Sequence, residues 1–299
     1  YVQDPTHRGH VFHRAGSFGP RGQLPQSEAL NVSSDLAGDR AMTERFIDDL
    51  ENQLAAVNLL WLGHPDTTQH HCPLGSPEHL EALRRTDENV SAVYACVDEL
   101  RRKGKDVLFI AGSDHGHETV SGLVDIDKQL AEAGFESELA SGRLVTAPNG
   151  TAALVYLQAP EAVRARLEAF FRQADWLSVV CRRQFELYGI SQAPALEFFL
   201  SLKSDPAALN PYGVAGESLA CLVPGSPYPI GCGQHGGLGL HEQSPYCLVN
   251  HPGLRPSEIS AATDLTLIAP TVLRFLGLSL DGLDGRSLQQ ILGVPTLGD

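Results

Sequence analysis

Between residues 41 and 55, Phe46, Ile47, Leu50 and Leu54 recur at three- and four-residue spacing among charged residues, which predicts an amphipathic helix. The largely apolar run Val57–Leu62 then predicts a strand buried on both faces. At Ser76-Pro77-Glu78 a second helix is expected. Serine caps it, proline fits its first turn, and glutamate sits at the positive end of its dipole. Its apolar face reads Leu80, Leu83, Val90, Val93, Val97 and Leu100. Arg101, Arg102 and Lys103 suit the negative end, and Gly104 ends it. Val107–Ala111 follows as another buried strand. A strand, a helix and a strand in that order predict a parallel α/β sheet with a right-handed crossover. Further strands are expected at Ala152–Leu157, Leu196–Leu202, Leu219–Val223 and Tyr246–Val249, and helices at Pro160–Arg172 and Leu265–Leu276. Pro224–Pro245, dense in Gly and Pro, reads as a long functional loop. Residues 1–40 show no sustained period and read as loop or lid, with His7, His10 and His13 as solvated side chains.

Composition narrows the function. No apolar run approaches the roughly 18 residues of a membrane span. The net charge of −14, with Lys and Arg scattered, excludes a nucleic-acid polymer surface, which needs a basic stripe. An acidic protein can still take a phosphate ester where bound metal supplies local positive charge. The cysteines (72, 96, 181, 221, 232 and 247) form no CxxC pair and read as small buried hydrophobes, with a bridge from Cys221 or Cys232 to Cys247 as the alternative. Asn31, Asn89 and Asn149 head N-x-S/T triplets, a pattern common by chance. The chain begins at Tyr1 and its one methionine is Met42, so a processed or trimmed product is expected and the compartment stays open.

Three motifs carry chemistry. Gly63-His64-Pro65-Asp66-Thr67-Thr68-Gln69-His70-His71 follows the first predicted strand, and Gly112-Ser113-Asp114-His115-Gly116-His117-Glu118 follows the second. Ligands of open α/β sheets bind beyond the carboxyl ends of strands. A carboxylate and an imidazole with three residues between them can converge there on one ion. The third motif, Gly231-Cys232-Gly233-Gln234-His235-Gly236-Gly237, lies in the long loop, where glycines let the backbone approach another surface closely. Each has a bland alternative: a solvated turn, a strand-ending cap, a flexible loop. Together they offer carboxylates and imidazoles without an evident thiolate, a donor set suited to zinc. His64, His71, His117 and His241 lie beside the presumed ligands and are expected to contact substrate, to support the ligands, or to be exposed.

The order of these motifs resembles the nucleotide pyrophosphatase/phosphodiesterase branch of the alkaline phosphatase superfamily. The resemblance runs through Pro65-Asp66 to His70, Gly75-Ser76-Pro77-Glu78, Ser113-Asp114-His115-Gly116 and Gly233-Gln234-His235-Gly236. It continues in Ala269-Pro270-Thr271, Phe275-Leu276-Gly277 and Asp284-Gly285-Arg286-Ser287-Leu288, and covers about residues 41–120 and 230–290. It implies an alkaline-phosphatase-like α/β fold, with a mainly parallel central sheet and helices on both faces. Residues 41–299 would be the carboxy-terminal part of the metal-binding domain. It also implies two Zn2+ ions, other divalent metals being possible. Asp66, His70 and His235 would hold one ion, and Asp114 and His115 the other. His71, His117 and Glu118 would be supporting or substrate-contacting groups. The implied reaction is hydrolysis of small phosphate diesters or phosphonates through a covalent phospho-enzyme. A phosphomonoesterase, a phosphonoacetate-type hydrolase, a phosphomutase or a non-catalytic metal-binding module are the alternatives. Two departures stand out. Gln69 occupies a usual glycine position, and no Thr or Ser in residues 1–40 fits the nucleophile motif. The nucleophile and a further Asp are therefore expected upstream of Tyr1, in a missing segment of the same protein. A homo-oligomer is a further open expectation.

Overall fold

The computed structural model describes residues 9, 11, 12, 16–19, 21–225, 229–259 and 263–293. The expectation for His7, His10 and His13 lies outside them. In chain order the elements are β1 (Phe18–Gly19), β2 (Gly22–Gln23), α1 (Leu36–Asn52), α2 (Asp66–Gln69), α3 (Pro77–Arg102), β3 (Phe109–Gly112), β4 (Glu118–Val124) and α4 (Ile126–Leu130). A π-turn at Ala131–Phe135 leads into α5 (Glu136–Ala140), β5 (Leu144–Asn149), β6 (Ala152–Leu157), α6 (Glu161–Gln173) and β7 (Leu177–Cys181). The chain continues through β8 (Leu196–Leu202), β9 (Ser204–Leu209), β10 (Ala215–Cys221), β11 (Gly233–Gln234), β12 (Cys247–Asn250), α7 (Ile268–Phe275) and α8 (Leu288–Leu292).

Two compact units divide the chain. One comprises Tyr1–Pro65, Ala82–Ala111 and Leu248–Asp299. In it α1 starts at Leu36 because Asp35 caps it, accepting from Gly38 N at 2.9 Å. Leu50 of α1 packs with Val93, Cys96 and Leu100 of α3, and Phe46, Ile47, Leu60, Val107 and Phe109 close around them. Buried Asp39 accepts from the backbone N–H groups of Gly63 and His64 at 3.1 and 2.8 Å, fixing the start of the first motif.

The expected strand at Val57–Leu62 is not formed. This stretch pairs with no strand among the described residues, and Val57, Leu59 and Trp61 are exposed, while Leu60 reaches the helical cluster. An apolar run becomes a buried strand only where ladder partners flank it, and here one side chain in the run finds a core. The strand–helix–strand crossover read from it falls away too. Helix α3 begins and ends as expected, but Leu80 and Leu83 are exposed, and Ala82, Asn89 and Cys96 share the buried stripe with Val93, Val97 and Leu100. Asn89 lies buried in mid-helix, so its N-x-S triplet is closed to a glycan.

The second unit, Asp66–Glu81 and Gly112–Cys247, holds two four-stranded sheets. The first runs β11-β4-β10-β9. Its β4–β10 pair is parallel, and β11–β4 and β10–β9 are antiparallel. The second runs β5-β6-β8-β7 with every pairing antiparallel. The expected mainly parallel sheet is therefore corrected: the fold is mixed α/β, with largely antiparallel sheets. The consecutive pairs β5–β6 and β7–β8 each fold back antiparallel, and β8 enters between β6 and β7, antiparallel to both.

Strand β6 shows the period-two rule on both faces. Ala153, Val155 and Leu157 join the large cluster built with α4, α6, Phe198 and Leu200. Ala152, Leu154 and Tyr156 face the smaller one around Phe185, Phe199 and Leu238. Leu238, directly after Gly236-Gly237 of the third motif, thus ties the glycine loop to the sheet. The expected strands at Ala152–Leu157 and Leu196–Leu202 are found with those bounds, and the helix at Pro160–Arg172 within one residue.

Candidate metal centre

Three short segments of the second unit meet at the site. Strand β11 pairs with β4 in the register Gln234↔Glu118, which sets His235 beside His117. The turn α2 carries Asp66 in its first position and His70 just after its end. His70 Nδ1 lies 3.1 Å from Gly233 O, joining this turn to β11. His115 and His117 precede β4.

Four imidazoles surround one carboxylate oxygen. Asp66 Oδ1 is 3.2 Å from His70 Nε2, 3.2 Å from His117 Nε2, 3.6 Å from His235 Nε2 and 3.9 Å from His115 Nε2. Donor atoms of Asp66, His115, His117 and His235 all lie within 4.8 Å of one another. The His115 and His235 rings stack with centroids 3.5 Å apart. Asp114 stands at the edge, its Oδ1 3.5 Å from His115 Nε2, and its side chain is about half exposed, as is that of Asp66. The His117 side chain, 4% exposed, is innermost.

Tautomers decide what these atoms can do. A ring nitrogen facing a backbone carbonyl must carry the proton, because the carbonyl only accepts. His70 Nδ1 faces Gly233 O, and His115 Nδ1 faces Gly116 O at 3.1 Å. In the neutral rings the Nε2 atoms are then lone pairs aimed at a carboxylate. Lone pairs facing a carboxylate at these distances call for a cation between them. Asp66 Oδ1 and His117 Nε2 are buried without a hydrogen bond, in keeping with a missing charge partner.

The electrostatic surroundings act differently on each group. Burial opposes ionisation of Asp66, yet contacts with His117 and His70 hold its carboxyl far below the usual range. Burial likewise lowers His70, but the Asp66 contact outweighs it and the net shift is upward. Burial, then the neighbouring His115, His117 and His70, push His235 down to about 3. His117 is lowered chiefly by burial. One ionised carboxylate among imidazoles suits a borderline divalent cation such as zinc, so the residues present fit such an ion.

The remaining sequence-flagged residues lie around the site with other partners. His71 is exposed, with Nδ1 2.7 Å from Thr67 O. Glu118 is fully buried and accepts from His241 N at 3.1 Å. His241 Nε2 meets Pro206 O at 3.0 Å. The cysteines are free thiols: 96, 181, 221 and 232 are buried, and Cys247 is exposed and unbridged.

Two residues that spacing does not reveal organise the site. Buried Glu242 accepts from Thr151 Oγ1, Gly237 N and Gly239 N, while its backbone carbonyl takes Gly116 N at 2.8 Å. It thereby fixes both the glycine loop after His235 and the His115–His117 turn. Glu242 lies in no motif, and Thr151 falls only in the Asn149 N-x-T triplet, which says nothing of this role.

The fold is mixed α/β, and its Asp/His cluster has a donor set that could hold a metal ion. The family model for type I phosphodiesterase/nucleotide pyrophosphatase matches residues 13–179, more than half the chain, and the chain belongs to that family. The fold is similar to that of human ectonucleotide pyrophosphatase/phosphodiesterase 5, with a TM-score of 0.57 and 16% identity, over 89% of this chain and 64% of that one. The chain thus spans less than two thirds of that relative. No curated protein sequence matches it significantly. Among the described residues no helix is long and apolar enough to cross a membrane.

Proposed function

We propose that this chain carries the metal centre of a divalent-metal-dependent hydrolase of small phosphate diesters or related phosphonates. The supporting observation is the convergence of His70 and His115 lone pairs, with His117 and His235, on the single oxygen Asp66 Oδ1. In this reading Asp66, His70 and His235 hold one zinc, and Asp114 and His115 contribute to a second. His117, the most buried of the five imidazole and carboxylate neighbours, braces Asp66. The ions, when bound, supply positive charge and Lewis acidity for a phosphoryl group.

The protein's own contribution is positioning. Backbone carbonyls of Gly233 and Gly116 orient two imidazoles, and Glu242 holds the two turns that carry the rest. The exposed Asp66 and Asp114 mark the side open to a ligand. The Thr or Ser nucleophile belongs, in this proposal, to a segment of the same polypeptide upstream of Tyr1.

His235→Ala in the complete protein tests the reading. Zinc content should fall, and hydrolysis of bis(p-nitrophenyl) phosphate should drop by roughly a hundredfold or more. Full turnover with undiminished zinc would contradict it.

A further inference from the structure

Turn α2 is a single helical turn, too short to hold its own shape in water. The third residue after Asp66 is Gln69, a position where the family resemblance expects glycine. The Gln69 side-chain amide nitrogen is placed 3.0 Å from His79 Nε2. His79 is buried in the first turn of α3, and its Nδ1 accepts from Gly75 N at 2.8 Å. A neutral imidazole accepts at one nitrogen only. His79 Nε2 therefore carries the proton, and the Gln69 group that meets it is the carbonyl oxygen, since the two ends of an amide exchange by a half-turn.

The resulting chain of bonds runs from Gly75 through His79 to Gln69 and closes the segment 69–79 on itself. Gly75 is held in turn: its φ is +86°, and a Cβ there would lie 2.8 Å from Val214 Cγ2 and 2.9 Å from Tyr212 Cβ. Asn210 Nδ2 donates to Leu74 O at 2.8 Å, so the neighbouring backbone has a fixed anchor. The rigid end of this closed segment is Gln69, one residue from His70 and three from Asp66.

We propose that Gln69 and His79 are a positioning pair that fixes α2 so that Asp66 and His70 meet their ion in one geometry. The pair requires an acceptor at 69 and the Nε2–H tautomer at 79. The role rests on the metal-centre reading given above.

The test compares the wild-type chain with Gln69→Met, which keeps the length and removes the acceptor. Zinc affinity would be measured by competition with a chromophoric chelator, the cobalt-substituted visible spectrum recorded, and metal-free thermal stability followed alongside. Zinc affinity should fall roughly tenfold to a hundredfold and the cobalt bands should shift, while the metal-free variant, with the buried His79 N–H unpaired, loses some stability but stays folded. Zinc affinity preserved within about twofold would overturn the proposal. So would a metal-free variant that is largely unfolded under the binding conditions, because the pair would then serve the fold alone. Nitrogen-15 shifts of His79 in the metal-free wild type should report the Nε2–H tautomer, and the Nδ1–H form would overturn the bond itself. A wild-type chain that binds no divalent ion would remove the metal-centre reading and the positioning role with it, while the tautomer result would still decide whether the bond exists.

Discussion

The Thr151 hydroxyl donates to Glu242 Oε2 at 2.6 Å, deep inside the unit that carries the metal centre. The same carboxylate takes the N–H groups of Gly237 and Gly239 at 3.0 and 2.8 Å. Truncation would strand the Thr151 hydroxyl and the Gly239 N–H, each costing about 1–3 kcal/mol if left unpaired, while Gly237 N–H keeps Thr151 Oγ1 at 2.7 Å. Glu242→Ala is therefore expected to lower unfolding stability by roughly 2 kcal/mol or more and to weaken zinc retention, as read by urea titration and elemental analysis. Unchanged stability would show that the loop does not depend on this residue.

Burial raises the Glu242 carboxyl above its ordinary value near 4.5, against the opposing pull of its three donors. The folded protein then binds its proton more tightly than the unfolded chain does. The stability this supplies is fully present below the unfolded value and is lost as pH rises through the higher folded one. Glu242→Gln should flatten stability against pH in the window that starts near 4.5 and extends upward, although its absolute stability differs. An unaltered pH slope there would contradict the assignment.

Gly150 and Gly213 separate close approach from backbone strain. Both have positive φ, +59° and +78°, yet a Cβ at Gly150 would strike the His235 carbonyl, whereas nothing lies within 4 Å of one at Gly213. Gly213→Ala should cost about 1 kcal/mol of conformational strain. Gly150→Ala should cost at least about 2 kcal/mol and displace His235, visible as reduced zinc affinity. Equal effects at the two positions would mean that the His235 loop can shift freely.

The exposed run at Val57–Leu62 makes a different prediction. Leu59 and Trp61 are 75% and 64% exposed, so Leu59→Ser and Trp61→Ser should alter the stability of this chain by less than about 0.5 kcal/mol. A loss of several kcal/mol would restore the buried strand that hydrophobicity alone suggests.

That run shows where sequence reading reached its limit. Helix α3 could be placed from Ser76, Pro77 and Gly104 because caps and dipole chemistry are local. Strands β6 and β8 could be bounded because apolar residues in them end at turn formers. Strand direction depends on which segment arrives alongside: β5 and β6 meet across Asn149-Gly150, but nothing within Glu118–Val124 announces its parallel partner β10, far along the chain. The site residues Asp66, His70, Asp114, His115 and His235 stood out because acid and imidazole recur beside glycine. The bonds that orient them, from Gly233 O, Gly116 O and Glu242, cross more than a hundred residues in two of three cases and leave no spacing to detect.

The most direct measurement is tightly bound zinc per chain, by elemental analysis after extensive dialysis, for the wild type and for Asp66→Asn. If Asp66 Oδ1 is the shared ligand at the centre of the imidazoles, the wild type keeps about one zinc ion or more, and the variant, similar in size but uncharged, keeps almost none. A wild type that dialyses to a metal-free protein, or a variant that retains as much zinc as the wild type, would contradict the account.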